Sequence, residues 1–284
     1  MIDQTIEEIE EMQTHSSSIV AVKAAAALRS LTDGDFPTVE EYVRALDRNS
    51  SALRRAKPSH ASLYKTQRQI VTTVSDADAD TVEEAQQLTE QVIDKVIETV
   101  ESAKEQAAER AVELIDDGAT LLTHDYSTTV LRTIELALEE GYELTVYITE
   151  GRPRYLGRKT ARALAEFDGV DPHLIVDNAS GHFLSNCDRV LVGMDSVVDG
   201  HLHNRIGTYP IAATAADVGV PVTAVGASAK IPEGGFQFEN EFRPVSEVMR
   251  EPAEGFTIEN PNYDATPVEL LDSIVTDDGI RQYE

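Results

Sequence analysis

The 284-residue sequence contains no tryptophan and a single cysteine, Cys187. One cysteine excludes an intrachain disulfide and any cysteine-based zinc cluster. The sequence also lacks an apolar run of about 18 residues or more, and its acidic N-terminus has no signal-peptide core. We therefore expect a cytoplasmic protein that does not insert into membranes.

Positive charge is scarce as well. The chain has 51 acidic residues against 24 basic ones, a formal net charge of −27, and only seven of the basic residues are lysines. The acidic residues are spread along the whole chain, which argues against an acidic interaction tail. Such a protein repels nucleic acid and, at low salt, itself. We infer a halophilic cytoplasm, where concentrated salt screens this repulsion.

The usual fingerprints of bound cofactors are absent too. No G-x-G-x-x-G segment follows a predicted strand and there is no Walker A motif, so neither a dinucleotide cofactor nor a P-loop is indicated. Of the seven scattered histidines, His201 and His203 lie near a predicted turn, where a solvated loop is a better interpretation than a metal site. We expect no cofactor and no metal.

Residues 1–116 have the pattern of a helical domain, because apolar residues recur at helical spacing. The predicted helices cover residues 2–15, 17–31, 38–49, a stretch after Pro58, and 81–115. Thr38 and Glu41 form a capping box at the start of the third helix. The last helix is long enough to pack along a second domain or a subunit, and a plain bundle helix is an equal alternative.

Residues 117–284 alternate apolar runs with helical patterns. The predicted strands cover 119–123, 144–148, 173–176, 189–192, 221–225 and 274–275, with helices at 128–140, 156–167, 179–186 and 208–218. Such alternation indicates a parallel sheet with right-handed crossovers. The sequence predicts an α/β protein, a helical N-terminal domain followed by a Rossmann-like C-terminal domain that binds ligands at the carboxyl ends of its strands.

Charged and polar residues follow the predicted strands directly. Asp125 and Ser127 come after the first strand, with Ser127 placed to cap the next helix, Arg152 after the second and Asp195 after the fourth. Further along lie Asn204, Arg205 and Lys230. Carboxylates and cationic groups that converge on one crevice suit a small anionic ligand such as a sugar phosphate.

The chain resembles one known family in segments that keep the family's order. They are Thr-His-Asp-Tyr-Ser (123–127), Thr-Glu-Gly-Arg-Pro (149–153), Gly-Met-Asp-Ser (193–196), Asn-Arg-Ile-Gly-Thr (204–208), Lys230 and Asn-Pro-Asn-Tyr-Asp-Ala-Thr-Pro (260–267). This family joins the alpha, beta and delta subunits of eukaryotic translation initiation factor 2B with ribose-1,5-bisphosphate isomerase and methylthioribose-1-phosphate isomerase.

The resemblance implies an assembly of two or more chains, formed by copies of this protein or together with related subunits. Candidate residues for such an interface are the apolar ones near the end of the chain: Phe236, Phe238, Phe242 and 245–249.

The resemblance also implies residue roles. Asp195 matches the aspartate that the isomerases use, together with a cysteine, for proton transfer. The cysteine position holds Asp125, and Cys187 lies in another segment. The isomerases also carry an arginine for the sugar phosphate near their start, and residues 14–17 contain none.

The same comparison implies a set of substrate-binding residues. Lys57 matches a second such arginine, and Asn204-Arg205 matches an asparagine–lysine pair. The full set is Lys57, Ser127, Arg152, Asn204, Arg205 and Lys230. Lysine and arginine differ in geometry, but each supplies positive charge.

Two interpretations follow for function. We favour a regulatory or non-catalytic protein resembling the initiation factor alpha subunit, which binds a phosphorylated sugar or nucleotide, since the thiol is missing. The alternative is a sugar-phosphate aldose–ketose isomerase that uses Asp195 with Asp125, one of them protonated because burial and like charge raise its pKa. Convergent carboxyls favour catalysis, whereas a crevice blocked by Tyr126 or Met194 favours regulation.

The charge balance predicts that stability depends on salt. We expect the unfolding midpoint in urea to rise strongly between low and molar KCl, because salt screens the repulsion among carboxylates. Sucrose is the control, since it stabilises folded proteins by exclusion and does not screen charge. Equal midpoints at the two KCl concentrations would contradict the halophilic interpretation.

Overall fold

The computed structural model describes residues 2–11, 16–232 and 235–283. The chain forms two compact units: a helical unit of Met1–Ala103 with Ala229–Phe238, and a sheet unit of Lys104–Ser228 with Glu239–Glu284. The division falls inside the longest helix, whereas the sequence pattern changes at residues 116–117. Within the described ranges no helix has both the length and the apolar character needed to cross a membrane.

The helices predicted for the first part of the chain are present. They are α1 (Ile2–Glu10), α2 (Ser17–Ala27, continued by a 3-10 turn, Leu28–Leu31), α3 (Val39–Arg55), α4 (Ala61–Ser75) and α5 (Val82–Val112). Residues 12–15, predicted to end the first helix, lie outside the described ranges. Large apolar side chains of all five helices form one core, in which the Tyr42 hydroxyl donates to Thr89 Oγ1 at 2.7 Å.

Helix α3 extends beyond its predicted end at Asn49. Its start is as predicted, because the Thr38 hydroxyl accepts a hydrogen bond from the Glu41 N–H at 3.3 Å. Asn49 does not end the helix, since its side-chain amide donates to Ala45 O at 2.8 Å. The helix continues to Arg55, and this extension buries Leu53 completely.

Phe236 is part of this unit's packing. Its side chain is buried, and its ring centroid lies 5.4 Å from that of Tyr64. The Tyr64 hydroxyl also donates to Gly235 O at 2.8 Å. The prediction that Phe236 offers an assembly surface was therefore wrong, because its apolar area is already covered within the helical unit.

The sheet unit contains ten strands. They are β1 (Thr120–His124), β2 (Leu144–Thr149), β3 (Val170–Ile175), β4 (Arg189–Gly193), β5 (Ser196–Val198), β6 (His201–Arg205), β7 (Val222–Val225), β8 (Tyr263–Pro267), β9 (Ser273–Thr276) and β10 (Gly279–Gln282). Its helices are α6 (Thr128–Glu139), α7 (Gly157–Leu164), α8 (Ser180–Phe183) and α9 (Thr208–Val218). All six predicted strands are present, within three residues of their predicted ends.

Seven of these strands form one sheet in the order β10-β9-β7-β4-β1-β2-β3, parallel except for β10. This confirms the predicted fold class, a helical region followed by a Rossmann-like domain. The strand order reverses between the neighbours β1 and β4, which is where such sheets form a crevice. Asp125 follows β1 and Asp195 follows β4, so both residues lie at this reversal.

A second sheet, β5-β6-β8, was not predicted. Its first hairpin turns at Asp199-Gly200, where both residues have positive φ, 49° and 75°. An Asp-Gly pair between apolar residues is a strong hairpin signal, so the sequence does contain the information for this turn. The solvated-loop interpretation of His201 and His203 was wrong, because both lie in β6, where burial lowers the pKa of His203 to about 4.

Helix α7 approaches β2 so closely that its first residue has to be glycine. A Cβ at Gly157 would collide with the backbone carbonyl of Thr149 at the end of β2. We expect Gly157→Ala to lower the free energy of unfolding by about 2 kcal/mol or more, the usual cost of overpacking at a site that cannot yield.

The measurement is denaturant unfolding, with Gly181→Ala as the matched control. A Cβ at Gly181 would meet only the Thr214 methyl at 3.7 Å, an ordinary contact. Equal loss of stability in the two variants would refute the steric explanation.

Candidate functional site

A small cavity of about 20 Å³ lies in the sheet unit, beside the ends of β1, β2 and β6. Its charged lining residues are Asp125, Arg152, Arg154, Arg205, Arg243 and Glu247. Four arginines against two carboxyls make the cavity cationic, within a chain whose net charge is −27. This contrast indicates a binding site for an anion.

Asp125 occupies an uncommon backbone position directly after β1. Its φ is 60°, in the left-handed region that aspartate tolerates better than most residues. The Thr160 hydroxyl donates to its carbonyl oxygen at 2.7 Å. A Cβ at Gly151, itself at φ 69°, would lie only 2.6 Å from Asp125 Oδ1. The glycine therefore makes room for the Asp125 carboxyl at the cavity wall.

The Asp125 carboxyl is buried and faces a buried guanidinium. Its Oδ2 lies 3.6 Å from Arg205 Nε, and its Oδ1 has no hydrogen-bond partner among the described residues. Burial raises the pKa of Asp125; the charges of Arg205, His124 and Arg154 oppose this, and Asp195 reinforces it. Burial prevails because 3.6 Å is too long for a charge-assisted hydrogen bond. The carboxyl therefore keeps its proton to a higher pH than an exposed aspartate.

Arg205, the last residue of β6, stays charged although it is buried. Burial by itself lowers the pKa of a guanidinium, but Tyr263, Asp195, Asp125 and Glu241 together raise the pKa of Arg205. Its guanidinium carbon also lies 5.0 Å from the centroid of the Tyr263 ring. The pair therefore consists of a fixed cation beside a carboxyl that readily holds a proton.

His124 ties the end of β1 to the neighbouring elements. Its Nδ1 lies 2.6 Å from Thr149 Oγ1, and its Nε2 lies 2.8 Å from Ile206 O. A carbonyl oxygen only accepts, so Nε2 carries the hydrogen. Gly207, at φ 110°, allows this approach, since a Cβ there would lie 2.7 Å from His124 Cε1. His124 thus positions the turn that follows Arg205.

Asp177 orders the loop that carries Arg152. Its two carboxylate oxygens accept from Gly151 N at 2.8 Å and from Arg152 N at 2.7 Å. The side chain of Arg152 is exposed and lines the cavity. Asp125, Arg152 and Arg205 are thus the predicted site residues that the structure brings together around one space.

Other predicted site residues have structural roles or belong to the other unit. The Ser127 hydroxyl caps α6 by accepting from Val130 N at 3.3 Å, as predicted, and the Asn204 amide donates to Thr208 Oγ1 at 3.0 Å. Neither residue lines the cavity. Lys57 and Lys230 are buried and belong to the helical unit. A role for these four residues in substrate binding remains a prediction.

Asp195 is buried directly after β4, and its N–H donates to His203 O at 3.0 Å. It does not line the cavity, yet its charge acts on both Asp125 and Arg205. Neither Tyr126 nor Met194 is among the lining residues. The blockage expected for a regulatory protein is therefore not formed by these two side chains.

Cys187 is in the wrong place to replace the missing thiol. It lies just before β4 starts, whereas Asp195 follows the end of that strand. Burial raises the pKa of the Cys187 thiol to about 11, with a smaller contribution from Asp188.

At residues 14–17, where the sequence has no arginine, Thr14 and His15 lie outside the described ranges.

Sequence reasoning missed Arg154, Arg243 and Glu247. Arg243 Nη2 donates to Glu247 Oε1 at 2.8 Å, and Asn260 Nδ2 donates to Glu247 Oε2 at 3.2 Å. Arg154 directly follows the Thr-Glu-Gly-Arg-Pro segment (149–153), so its position beside that segment is a sequence signal for it. Arg243 and Glu247 lie in a stretch without periodicity, where no local pattern marks a site.

In the described part of the chain, no three His, Cys, Asp or Glu side chains are grouped to bind a metal.

The profile of the initiation factor 2 subunit family matches residues 13–282. The chain belongs to this family. Ribose 1,5-bisphosphate isomerase of Haloferax volcanii is 32% identical over 98% of this chain and 88% of its own length. Methylthioribose-1-phosphate isomerase of Acetivibrio thermocellus is 30% identical over 85% of this chain and 76% of its own. Among solved structures, translation initiation factor eIF-2B of Pyrococcus horikoshii aligns with a TM-score of 0.82 and 26% identity, covering 98% of this chain and 96% of that one.

These relatives bear on the two functional interpretations of this family member. The non-catalytic interpretation, which we favoured from the sequence, gains no support from them. The alternative is favoured, because ribose 1,5-bisphosphate isomerases of several archaea are at least 30% identical over nearly the whole chain.

The raised pKa of Asp125 predicts a pH-dependent effect of Asp125→Asn on stability. Above the ordinary carboxyl pKa, the folded protein retains a proton that the unfolded chain has released. Stability therefore falls as the pH rises through the folded-state pKa of Asp125. Asparagine avoids this cost, so we expect Asp125→Asn to raise the melting temperature at about pH 8 and to have a smaller effect at about pH 4.

Thermal unfolding of the variant across this pH range is the measurement. Asp217→Asn removes an exposed carboxyl of α9 and is the matched control, for which we expect little change at either pH. A stability difference for Asp125→Asn that stays constant with pH would contradict the raised pKa.

Proposed function

We propose that this family member is a sugar-phosphate aldose–ketose isomerase of the ribose 1,5-bisphosphate isomerase type, with Asp125 and Asp195 as its proton-transfer groups. The single observation that carries the proposal is the buried Asp125 carboxyl, whose pKa burial raises, at the wall of an arginine-lined cavity. The names of the relatives support the reaction class.

Asp125 serves as the proton donor. In water a carboxyl is ionised at neutral pH whereas a thiol is neutral. Burial reduces that difference, because it raises the pKa of the Asp125 carboxyl. A buried Asp125 therefore offers a proton from the position where the family's isomerases have a cysteine.

A proton on Asp125 also favours the binding of an anionic substrate. An ionised carboxylate beside an anionic substrate would cost several kcal/mol at about 4 Å in a poorly screened site. A protonated Asp125 carries no charge, and the charged Arg205 lies beside it, with Nε 3.6 Å from Asp125 Oδ2. The replacement of cysteine by Asp125 is therefore compatible with binding a phosphorylated sugar.

Asp195 serves as the base. Conversion of ribose 1,5-bisphosphate into the ketose breaks the ring bond between C1 and O4, moves a hydrogen from C2 to C1, and moves the proton of the C2 hydroxyl to O4 as the C2 carbonyl forms. These transfers require one group that removes a proton and one that donates a proton. Like charge favours a state in which only one of the two carboxyls is ionised. Because burial raises the pKa of Asp125, we assign the proton to Asp125 and the role of base to Asp195. Arg152 and Arg205 bind the phosphate groups.

The first test is turnover of ribose 1,5-bisphosphate and methylthioribose-1-phosphate by the purified full chain in molar KCl. We expect activity with the bisphosphate. We expect Asp195→Asn and Asp125→Asn each to lower kcat by about 100-fold or more, the usual contribution of a general acid or base. Asp125→Cys restores a neutral proton donor and should remain active.

Asp217→Asn is again the matched control and should leave kcat unchanged. Absence of turnover in the unmodified protein, with activity appearing only in Asp125→Cys, would show a binding protein in place of an enzyme. Full activity of Asp195→Asn would refute the assignment of the base.

A further inference from the structure

Thr160 makes a hydrogen bond that differs from those of five other helical threonines. Its hydroxyl points out of α7 and donates to Asp125 O at 2.7 Å. A threonine inside a helix commonly donates instead to the carbonyl four residues earlier in the same helix. That arrangement occurs, at 2.7–3.0 Å, in Thr66, Thr89, Thr99, Thr133 and Thr214. The Thr160 hydroxyl is thus used for a contact outside its own helix.

The acceptor of this bond is the backbone of the proposed proton donor. Asp125 has a φ of 60°, and a residue other than glycine keeps such a conformation only where neighbouring contacts enforce it. Thr160 and Asp125 are both buried, so water does not readily replace a lost partner. The Thr160 hydroxyl is therefore one of the contacts that hold Asp125 in its left-handed conformation.

Helix α7 gives Thr160 a fixed support. The Gly157 N–H donates to Glu150 O at 3.1 Å, and a Cβ at Gly157 would collide with the carbonyl of Thr149. The first turn of α7 therefore packs directly against the end of β2. Because Thr160 lies within that turn, its hydroxyl has a defined position relative to the neighbouring strand ends.

The backbone of Asp125 determines where its carboxyl lies. A Cβ at Gly151 would lie 3.4 Å from Asp125 Cα and 2.6 Å from Asp125 Oδ1, so there is little free space on that side. The other carboxyl oxygen, Oδ2, lies 3.6 Å from Arg205 Nε. Rotation of the backbone away from its left-handed conformation would move the carboxyl relative to both neighbours. A displacement of about 1 Å at a catalytic group is enough to lower a rate about 100-fold.

We infer that Thr160 is a positioning residue for Asp125: its hydroxyl fixes the Asp125 backbone so that the carboxyl faces Arg205 at the cavity wall. Thr160 is not among the lining residues of the cavity, so it acts through Asp125 and not on a ligand. It also lies outside the residue set that the family resemblance implied. The inference rests on the proposed function for the role of Asp125 as a proton donor.

The first experiment is steady-state turnover of ribose 1,5-bisphosphate by full-chain variants in molar KCl. Thr160→Val removes the hydroxyl and keeps the shape of the side chain, whereas Thr160→Ser keeps the hydroxyl. We expect Thr160→Val to lower kcat by about 10-fold, the equivalent of one hydrogen bond, and to change KM by less than about 2-fold. Thr160→Ser should retain most of the activity.

Thr133→Val is the matched control. Thr133 is a buried threonine of α6 whose hydroxyl donates to Thr129 O at 3.0 Å within the helix. We expect this variant to leave kcat unchanged. If Thr160→Val fails to fold, Thr160→Cys replaces the hydroxyl with a weak donor, and its kcat should fall below that of Thr160→Ser.

The second experiment requires no turnover. Asp125→Asn is combined with Thr160→Val, and melting temperatures are measured between about pH 4 and about pH 8. We expect the pH-dependent effect of Asp125→Asn to be smaller in the Thr160→Val background, because a displaced carboxyl is less completely buried. The substitution of Thr160 leaves unchanged the charged groups that act on this carboxyl: Arg205, His124, Arg154 and Asp195.

The outcomes separate the positioning role from the proposed function. A smaller pH-dependent effect in the Thr160→Val background, in a protein without turnover, would support the positioning role and refute the isomerase. Unchanged kcat in Thr160→Val, together with an unchanged pH-dependent effect, would refute the positioning role alone. The same loss of kcat in Thr160→Ser or Thr133→Val would also overturn it, because the loss would then not depend on this hydroxyl.

Discussion

The burial of Asp125 beside Arg205 is the constraint on which the rest of the site depends. Moving two ionisable groups out of water costs several kcal/mol each unless neighbouring groups compensate. The two residues meet this cost differently. Arg205 retains its charge because the neighbouring charges outweigh burial and raise its pKa, whereas burial raises the pKa of Asp125. The chain around them is arranged to keep this pair in place.

That arrangement requires the backbone at two glycines to lie very close to neighbouring side chains. Gly151 makes room for the Asp125 carboxyl, and Gly207 makes room for the His124 ring that holds the turn after Arg205. The left-handed conformation of Asp125 is a small strain of the kind that concentrates at functional sites. The ends of β1 and β2 in the seven-stranded sheet and of β6 in the three-stranded sheet meet at these contacts, so both sheets position the site.

The cavity lining carries an excess of positively charged side chains, whereas the chain as a whole is strongly negative. A net charge of −27 repels an anionic ligand at long range, and salt weakens that repulsion over distances of about 10 Å. Inside the cavity the arginines act at short range, where salt screens poorly. Concentrated salt would therefore remove the barrier to approach while leaving most of the local attraction, which makes the acidic surface compatible with the proposed sugar-phosphate substrate.

Sequence spacing by itself determined the helices, the six principal strands and the caps at Thr38 and Ser127, because each depends on residues within one or two turns of chain. Order along the chain also placed Asp125 and Asp195 at strand ends. Tertiary structure alone decided that Arg243 and Glu247 join Arg154 at the cavity, since no local pattern links such distant segments. It also raises the pKa of Asp125, because burial and the neighbouring charges arise only when β1, β4 and β6 are brought together.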